Sequence, residues 1–290
     1  MPKTSHTQRV LIFIVAYNAE QHIEKVLNRI PPSFLEKYDY EVLIIDDSSG
    51  DNTFEVAKKY QQSNLSMNLK VLYNPINQGY GGNQKLGYRY AILNEFDAVV
   101  LLHGDGQYAP ELVEEMISPI LFGEAKAVFG SRMMNKKDAL KGGMPYYKFI
   151  GNIILTRIQN WILHSNLYEF HSGYRAYSVS ALSLLPFERN SDDFHFDTQI
   201  IIQLLLAKFK IKEIPIPTFY GDEICHVNGI RYGWNVIKAS IQSKLHRMNI
   251  FYKMEYDVDD GTPHYDLKLG YTSSHTMALE NTPAKSRVLD

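Results

Sequence analysis

Three groups of polar side chains follow apolar runs of the chain, and their residue types suit the binding of a charged ligand. The first group contains Tyr17 and Glu20, the second is Asp46-Asp47, and the third reads His103-Gly104-Asp105-Gly106-Gln107. Paired carboxylates can bind a nucleobase or ribose, and a carboxylate beside an amide or imidazole can hold a divalent cation on a diphosphate. Any one group could be only a helix cap or a turn, but three in succession predict a nucleotide site.

Predicted strands and helices alternate along the chain in a way that would bring these groups together. A continuous apolar run predicts a buried strand at Val10 to Ala16, and mainly apolar segments predict further strands at Tyr40 to Ile45, Leu69 to Tyr73, Ala98 to Leu102 and Ala127 to Phe129. Helical patterns occupy Glu20 to Ile30 and Asn83 to Asn94, and Asp51 and Asn52 are suitable N-caps for a helix that runs to about Tyr60. This order predicts an α/β fold with a mostly parallel central sheet flanked by helices. Ligands of such sheets bind beyond the carboxyl ends of the strands, where the three groups lie.

Composition narrows the class of protein. A chain of 290 residues with 45% hydrophobic and 21% charged residues suits a large α/β domain with a real core. The net charge of -2 gives no sign of a nucleic-acid-binding surface, and we expect no nucleic-acid partner. A single cysteine, Cys225, excludes an internal disulfide framework and suits a reducing compartment. No stretch predicts a signal peptide or a membrane span, so we expect a soluble cytoplasmic chain that can still touch membranes.

Two other nucleotide-binding classes do not fit the turn after the first strand. A Rossmann dinucleotide site needs glycines there, and residues 16–20 contain none. The glycines at Gly79, Gly81 and Gly82 come only after the third strand. A nucleotidyltransferase would carry a glycine-rich basic loop after the first strand, which is also missing. Both alternatives are therefore disfavoured.

Five short blocks carry a family resemblance. Residues 15–20 read V-A-Y-N-A-E, residues 45–53 read I-D-D-S-S-G-D-N-T, and residues 77–83 read N-Q-G-Y-G-G-N. Residues 130–132 read G-S-R, and residues 172–175 read S-G-Y-R. In this order the blocks resemble those of family-2 glycosyltransferases, and the last two resemble polyprenyl-phosphate sugar transferases such as dolichyl-phosphate mannose synthases. The resemblance spans residues 10–220. It implies a GT-A (nucleotide-diphospho-sugar transferase) fold and transfer of a sugar with inversion.

The resemblance also implies which residues bind the donor, a UDP- or GDP-sugar. The nucleoside would be held by Ala16, Tyr17, Glu20, Asp46, Asp47 and Gly79, and Asp105 would bind Mg²⁺ or Mn²⁺ beside the diphosphate. His103 stands where the family has the first aspartate of its D-x-D-x-Q pattern, and Gln107 stands at the glutamine. Imidazole adds no negative charge and is a poorer ligand for Mg²⁺ than for Mn²⁺. The resemblance thus implies that Asp105 would hold the cation either alone or together with His103, with Gln107 as a further metal ligand.

The transfer reaction needs positive charge near the leaving diphosphate. Arg132 and Arg175 are candidate phosphate ligands because a guanidinium binds two phosphate oxygens at once, with structural salt bridges as the alternative. A phosphate acceptor has a second pKa near ~6 and arrives ionised, so it needs no general base. A hydroxyl acceptor needs a base, and Glu169 and Asp197 are the candidates. Asp197 could equally be the N-cap of the next helix.

Two helical segments bear on the acceptor. Residues 146–163 carry apolar side chains at helical spacing with Lys148 and Arg157 between them, which is typical of a core helix or of an interfacial helix beside a lipid. Residues 232–248 form a basic helical stretch that could pack on the domain or face anionic lipid. We expect a polyprenyl (undecaprenyl or dolichyl) phosphate acceptor and a peripheral position on the inner face of the membrane. A saccharide or other hydroxyl acceptor, or a catalytically weak nucleotide-sugar binding module, are the alternatives.

The remaining chain divides into smaller predicted parts. Residues 1–235 would form the GT-A domain, 236–256 a helical appendage and 257–290 a polar tail. The tail ends in Val288-Leu289-Asp290, which resembles the first strand of a class I methyltransferase. Ile214 to Pro217 predicts an edge strand because proline cannot donate a ladder hydrogen bond. The polar stretch after it, with His226 and Arg231, could close over phosphate groups.

Overall fold

The computed structural model describes residues 8–219, 228–258, 272, 274–283 and 286. Contacts within the chain define two compact units, residues 1–258 and residues 259–290. The predicted closing loop with His226 and the resemblance at Val288 to Asp290 lie outside the described residues. Arg231 is described and lies exposed, with its guanidinium 4.0 Å from Asp193.

A seven-stranded sheet forms the centre of the first unit. Its strands are β1 (Arg9–Ala16), β2 (Asp39–Asp46), β3 (Leu69–Tyr73), β4 (Ala98–His103), β5 (Ala127–Ser131), β6 (Arg175–Ser178) and β7 (Ile211–Pro215). They lie in the order β3-β2-β1-β4-β6-β5-β7. Only β6 runs antiparallel to its neighbours, β4 and β5. The predicted mostly parallel sheet is confirmed.

Helices cover both faces of this sheet. They are α1 (Ile23–Asn28), α2 (Pro32–Lys37), α3 (Thr53–Ser63), α4 (Gly79–Leu93), α5 (Val113–Leu121), α6 (Lys136–Lys141), α7 (Tyr146–Leu163), α8 (Val179–Leu182), α9 (Phe196–Leu206) and α10 (Gly229–Arg247). In the second unit the described residues include one further helix, α11 (Ser274–Asn281). Among the helices that the structure describes, none is long and apolar enough to cross a membrane.

The sheet separates two apolar cores, which explains the continuous apolar runs of the central strands. In β1, Val10, Ile12 and Ile14 pack into one core, and Leu11 and Phe13 pack into the other. A strand buried on both faces has no water-facing side that would select polar residues. The predicted strands at β1 to β5 are therefore confirmed, with small shifts at their ends.

Helix α4 begins at Gly79, four residues before the predicted start at Asn83. Its glycines allow the first turn to lie against the backbone of residues 191–192. Gly79 has φ +78°, and a Cβ on Gly81 would lie only 2.4 Å from the carbonyl oxygen of Ser191. The amide of Gly81 donates to the carbonyl of Asp192 at 2.7 Å. The glycine-rich block thus makes a close helix-to-chain contact.

Three other local predictions differ from the structure. Strand β6 was not predicted, because four residues with no apolar alternation carry no strand signal. Asp197 is not an N-cap, since α9 already begins at Phe196. The predicted domain boundary between residues 235 and 236 falls inside α10, which packs on α7 and α9 within the unit of residues 1–258. The proline-containing edge strand, in contrast, lies at the sheet edge as β7.

Candidate functional site

The three polar groups lie at one edge of the sheet because β1, β2 and β4 are parallel neighbours. Ala16 pairs with Asp46, and Val15 pairs with both Ile45 and His103. The residues that follow these strands therefore leave the sheet side by side. The predicted convergence of the three groups is confirmed by this register.

The Asp46-Asp47 pair shapes the loop between β2 and α3. Asp46 is fully buried, and its carboxylate accepts hydrogen bonds from the amide and hydroxyl of Ser49. Burial raises the pKa of Asp46 above its usual value. The Oδ1 of Asp47 accepts from Asn74 Nδ2 and from the amide of Gln78, each at 2.8 Å. The Asp46 carboxylate thus closes its own loop, the Asp47 carboxylate joins that loop to the one between β3 and α4, and Asn74 is a contributor that sequence reasoning missed.

The loop after β1 is joined to the same region. Asn18 has φ 50°, and its Oδ1 accepts from the amide of Gly50 at 2.9 Å. The carboxylate of Glu20 accepts from the amide of Asn52 at 3.2 Å and from its Nδ2 at 3.0 Å. Tyr17 leaves about half of its side chain exposed at this edge. A flat aromatic ring beside fixed loops suits contact with a nucleobase.

Of the three groups, the third has the side-chain oxygen and nitrogen atoms that remain most open to a ligand. Asp105 Oδ1 accepts from the amide of Gln107 at 3.0 Å, and its Oδ2 accepts no hydrogen bond from the described residues. His103 ends β4, and its Nε2 lies 3.3 Å from the hydroxyl of Tyr80. Burial lowers the pKa of His103, which keeps the imidazole neutral near pH 7.

The side chains of this third group suit a divalent cation that would take its remaining ligands from a diphosphate. Within the described ranges no group of three or more His, Cys, Asp or Glu residues forms a complete metal cage. The chain instead offers one open carboxylate oxygen on Asp105, a neutral imidazole on His103 and the side-chain amide of Gln107, all partly exposed. Oxygen ligands suit Mg²⁺ and Mn²⁺, whereas an imidazole suits Mn²⁺ better.

Arg132, at the end of β5, is held in a buried ion pair with Glu169. Glu169 accepts four hydrogen bonds: from the Arg132 amide at 2.6 Å, from Arg132 Nε at 3.0 Å, from Arg132 Nη2, and from Asn152 Nδ2 at 2.8 Å. Burial alone would raise the pKa of Glu169, but the adjacent guanidinium lowers it below its usual value. A carboxylate that already accepts four hydrogen bonds is poorly placed to act as a general base, because its oxygens are occupied. The arrangement favours the salt-bridge alternative for this pair.

Arg175 is not positioned as a phosphate ligand. Its side chain is 1% exposed, and its guanidinium donates to the backbone carbonyls of Ser172 at 2.8 Å, Asp197 at 2.9 Å and Phe170 at 2.8 Å. Its Nη2 also lies 3.5 Å from Asp197 Oδ2. Asp197 in turn accepts from Tyr80 and Gln84. Arg175 and Asp197 are thus buried residues that join β6, α9 and α4 to one another.

His171 and Glu213 flank the Arg132 pair, and sequence reasoning named neither. The carbonyl of His171 accepts from Arg132 Nη2 at 3.0 Å, and its Nδ1 lies 2.9 Å from the hydroxyl of Tyr232 on α10. Burial lowers the pKa of His171 to about 4. The Glu213 carboxylate accepts from the amides of Tyr168 and Glu169, and burial raises its pKa to about 7. The sequence offered one signal for these two residues: His171 stands directly before the S-G-Y-R block.

Helix α7 shows an inverted pattern of burial, and we call the outer side of α7 and α10 the α7–α10 face. Several residues that α7 buries are polar: Asn152, Thr156 and Gln159. The residues that α7 and α10 leave exposed include Tyr146, Tyr147, Ile150, Ile154, Trp161, Ile230, Trp234 and Ile241. Trp161 and Trp234 are 73% and 69% exposed, and Lys244 lies 5.0 Å from the Trp161 ring centroid. A helix that faces water would have the opposite pattern.

Known proteins with similar sequences were found over most of the chain. The chain is 31% identical over 224 residues to the UDP-N-acetylglucosamine–dolichyl-phosphate N-acetylglucosaminyltransferase of Methanococcus voltae, covering 73% of this chain and 86% of that protein. It is 26% identical over 221 residues to the undecaprenyl-phosphate mannosyltransferase of Micrococcus luteus, covering 74% of this chain and 85% of that protein.

Solved structures and a family model agree with these relatives. Glucosyl-3-phosphoglycerate synthase from Mycobacterium tuberculosis, in complex with Mn²⁺, UDP and glucosyl-3-phosphoglycerate, superposes with a TM-score of 0.56 at 16% identity. The match covers 84% of this chain and 81% of that one, so the two share the GT-A fold. The model of glycosyl transferase family 2 matches residues 11–185. The chain is a glycosyltransferase and belongs to glycosyl transferase family 2.

Proposed function

We propose that this glycosyltransferase moves a sugar, with inversion, from a UDP- or GDP-sugar to a polyprenyl phosphate at the surface of an anionic membrane. The observation that carries the proposal is the inverted burial pattern of α7 together with the exposed apolar residues of α10. Their exposed side combines tryptophan, tyrosine and isoleucine with basic residues, while polar residues of α7 face inward. Interfacial helices that lie in the headgroup region have this composition on their membrane side.

Helix α7 contacts the Arg132 pair directly, and α10 reaches it through His171. Asn152 of α7 donates to Glu169, and its neighbours along the helix include the exposed Ile150 and Ile154. Tyr232 of α10 contacts His171 and lies between the exposed Ile230 and Trp234. A polyprenyl chain on the α7–α10 face would therefore bring its phosphate toward residues that these helices hold in position.

The state of the candidate bases also supports a phosphate acceptor. Glu169 is saturated with hydrogen bonds, and Asp197 accepts from Tyr80 and Gln84 beside Arg175. A hydroxyl acceptor would need a free carboxylate to take its proton. A phosphate monoester carries its negative charge already and can attack without one. The dolichyl- and undecaprenyl-phosphate acceptors in the names of two relatives point the same way.

Donor binding would use the edge of β1, β2 and β4. Ala16, Tyr17, Glu20, Asp46, Asp47 and Gly79 would form the nucleoside side of the site. Asp105, with His103 and Gln107, would hold Mg²⁺ or Mn²⁺, and the cation would offset the charge of the leaving diphosphate. The Mn²⁺ and UDP bound to the glucosyl-3-phosphoglycerate synthase support this assignment for the shared fold.

The test measures sugar transfer from a panel of radiolabelled UDP- and GDP-sugars into a lipid-extractable product. The assay contains Mn²⁺ or Mg²⁺ and vesicles with or without a short-chain polyprenyl phosphate. We expect product only with the lipid phosphate, more product on vesicles rich in phosphatidylglycerol than on neutral ones, and none with Asp105→Asn. Transfer to a soluble saccharide but never to the lipid would refute the acceptor. No release of nucleoside diphosphate from any donor would favour a binding module.

The membrane contact is tested separately by a double variant, Trp161→Ser with Trp234→Ser. The matched control is Leu65→Ser, since Leu65 is an exposed apolar residue away from the α7–α10 face. We expect the double variant to lose sedimentation with anionic vesicles and the control to keep it. Equal sedimentation of both proteins would contradict the role of this face.

A further inference from the structure

Tyr80, in the first turn of α4, lies between two residues of the site. Its hydroxyl donates to Asp197 Oδ2 at 3.0 Å and lies 3.3 Å from His103 Nε2. Its ring stacks on Phe194 with 5.2 Å between the ring centroids. Tyr80 is thus fixed in position, and its oxygen joins an imidazole to a buried carboxylate.

Because the Tyr80 hydroxyl has a single proton, it can donate only one of these two hydrogen bonds. A phenol has one proton to donate. The carboxylate of Asp197 is a stronger acceptor than a neutral imidazole, because hydrogen bonds to an ionised acceptor are stronger. Once Tyr80 donates to Asp197, its oxygen can only accept from His103. Nε2 of His103 must then carry the proton, and Nδ1 of the neutral ring is the bare nitrogen.

The packing around His103 favours the same arrangement. Tyr108 contacts the ring edge-to-face, with 4.9 Å between centroids. A Cβ on Gly173 would lie 2.7 Å from His103 Nε2, so only glycine allows the ring to sit where it reaches Tyr80. Among the residues that the structure describes, Nδ1 has no hydrogen-bond partner, and it is not one of the buried unpaired atoms, which leaves it open to solvent. Asp105 follows two residues later in the same turn.

We propose that Tyr80, held by Asp197, is a positioning residue that keeps His103 in its Nε2–H tautomer and so reserves Nδ1 as a ligand for a divalent cation. The proposal rests on the donor side of the proposed function and not on the acceptor. A residue that orients a metal-binding histidine through its other nitrogen raises metal affinity. Because an imidazole suits Mn²⁺ better than Mg²⁺, Tyr80 would also bias the choice of cation.

The first experiment reads the tautomer directly in the wild-type protein. Two-bond ¹H–¹⁵N correlation spectra of ¹⁵N-histidine-labelled protein distinguish the two tautomers, and His103→Asn identifies the signal. We expect a protonated Nε2 and a bare Nδ1, and we expect the Nδ1 signal to broaden first when Mn²⁺ and UDP are added. A protonated Nδ1 in the wild type would overturn the proposal, whatever any variant does.

The second experiment compares Tyr80→Phe with Tyr88→Phe. Tyr88 lies on the same helix, and its hydroxyl donates to Gln84 at 2.7 Å without contacting His103. Electron paramagnetic resonance measures Mn²⁺ binding in the presence of UDP, and competition gives the Mg²⁺ affinity. We expect Tyr80→Phe to weaken Mn²⁺ binding by on the order of 10-fold and Mg²⁺ binding much less. Tyr88→Phe should change neither affinity.

Unchanged Mn²⁺ affinity and an unchanged tautomer in a folded Tyr80→Phe protein would refute the role of Tyr80. If that variant does not fold, the wild-type spectrum decides. Failure of the proposed acceptor would give a different result: the tautomer and Mn²⁺ binding would be as expected, but no sugar would reach the lipid phosphate.

Discussion

Replacement of Glu169 by glutamine tests whether the ion pair with Arg132 stabilises the fold. Glutamine keeps the size of the side chain and one oxygen acceptor but removes the negative charge. The Arg132 guanidinium would then remain buried without its counter-ion, since the side chains are 8% and 0% exposed. Removing one partner of a buried pair costs about 3–5 kcal/mol, and we expect the lower end because the amide still accepts a hydrogen bond.

The same substitution in a solvent-exposed pair is the control. Arg29 and Glu111 form a similar two-pronged ion pair, with Nε–Oε1 at 2.8 Å and Nη2–Oε2 at 3.0 Å. Their side chains are 41% and 50% exposed, so water screens the charges. An exposed pair contributes about 0.2–1 kcal/mol. The two pairs therefore differ in burial and in the two further hydrogen bonds that Glu169 accepts, from the Arg132 amide and from Asn152, and the comparison measures these effects together.

Thermal unfolding followed by circular dichroism measures both variants. A loss of about 3 kcal/mol lowers the midpoint by roughly 6–12 °C in a domain of this size, and the control should lose less than about 4 °C. Urea titration gives the free energy of unfolding independently. Equal losses in the two variants would refute the assignment of Glu169 as a structural counter-ion. Full stability of Glu169→Gln with abolished sugar transfer would instead restore its role as a base.

Two further predictions concern pH and packing. Burial raises the pKa of Glu213 to about 7, so the wild-type protein should lose stability as the pH rises from about 4.5 to 7, and Glu213→Gln should remove that dependence in thermal melts between pH 5 and 8. Gly81→Ala should cost about 1–3 kcal/mol, because its Cβ would lie 2.4 Å from the Ser191 carbonyl. Gly151→Ala, which meets no atom within 4 Å in α7, should instead be neutral or stabilising, and urea titration of both compares the two outcomes.

The edge of the sheet could be predicted from the sequence because it depends on local signals. Buried strands require apolar residues on both faces, and parallel neighbours bring their carboxyl ends together. The positions of Asp46 beside Ala16 and of His103 beside Val15 follow from those two rules. Those rules do not predict which of the carboxylates at this edge stays free of hydrogen bonds and so open to a ligand. Asp47 is occupied by Asn74 and Gln78, and these partners lie 27 and 31 residues further along the chain.

Helix α7 shows the limit of periodicity. Its predicted bounds, residues 146–163, are confirmed. The spacing of apolar residues indicates a stripe but not whether the stripe faces the core or a membrane. The orientation of the stripe depends on a contact with another part of the chain. Asn152 faces inward and donates to Glu169, so Ile150 and Ile154 on either side of it face outward.

The two arginines illustrate the same limit in the site. A guanidinium satisfied by phosphate and one satisfied by carbonyl oxygens look alike in a sequence. Arg175 donates to three backbone carbonyls from within a strand that the sequence does not predict. Its role could only be assigned once β6 was known to lie between β4 and β5.

The arginine blocks therefore have a structural role that bears on the acceptor. Arg132 joins the end of β5 to α7 through Glu169 and Asn152, and Arg175 joins β6 to α9 through Asp197. Carboxylates used in this way are poorly placed to deprotonate an acceptor hydroxyl. An enzyme with this scaffold gains most from an acceptor that is already charged, since its nucleophile needs no proton removed. Helix α7, which the Arg132 pair holds in place, is also a helix whose outer side is apolar, so one set of buried contacts bears both on the missing base and on the proposed approach of a lipid phosphate.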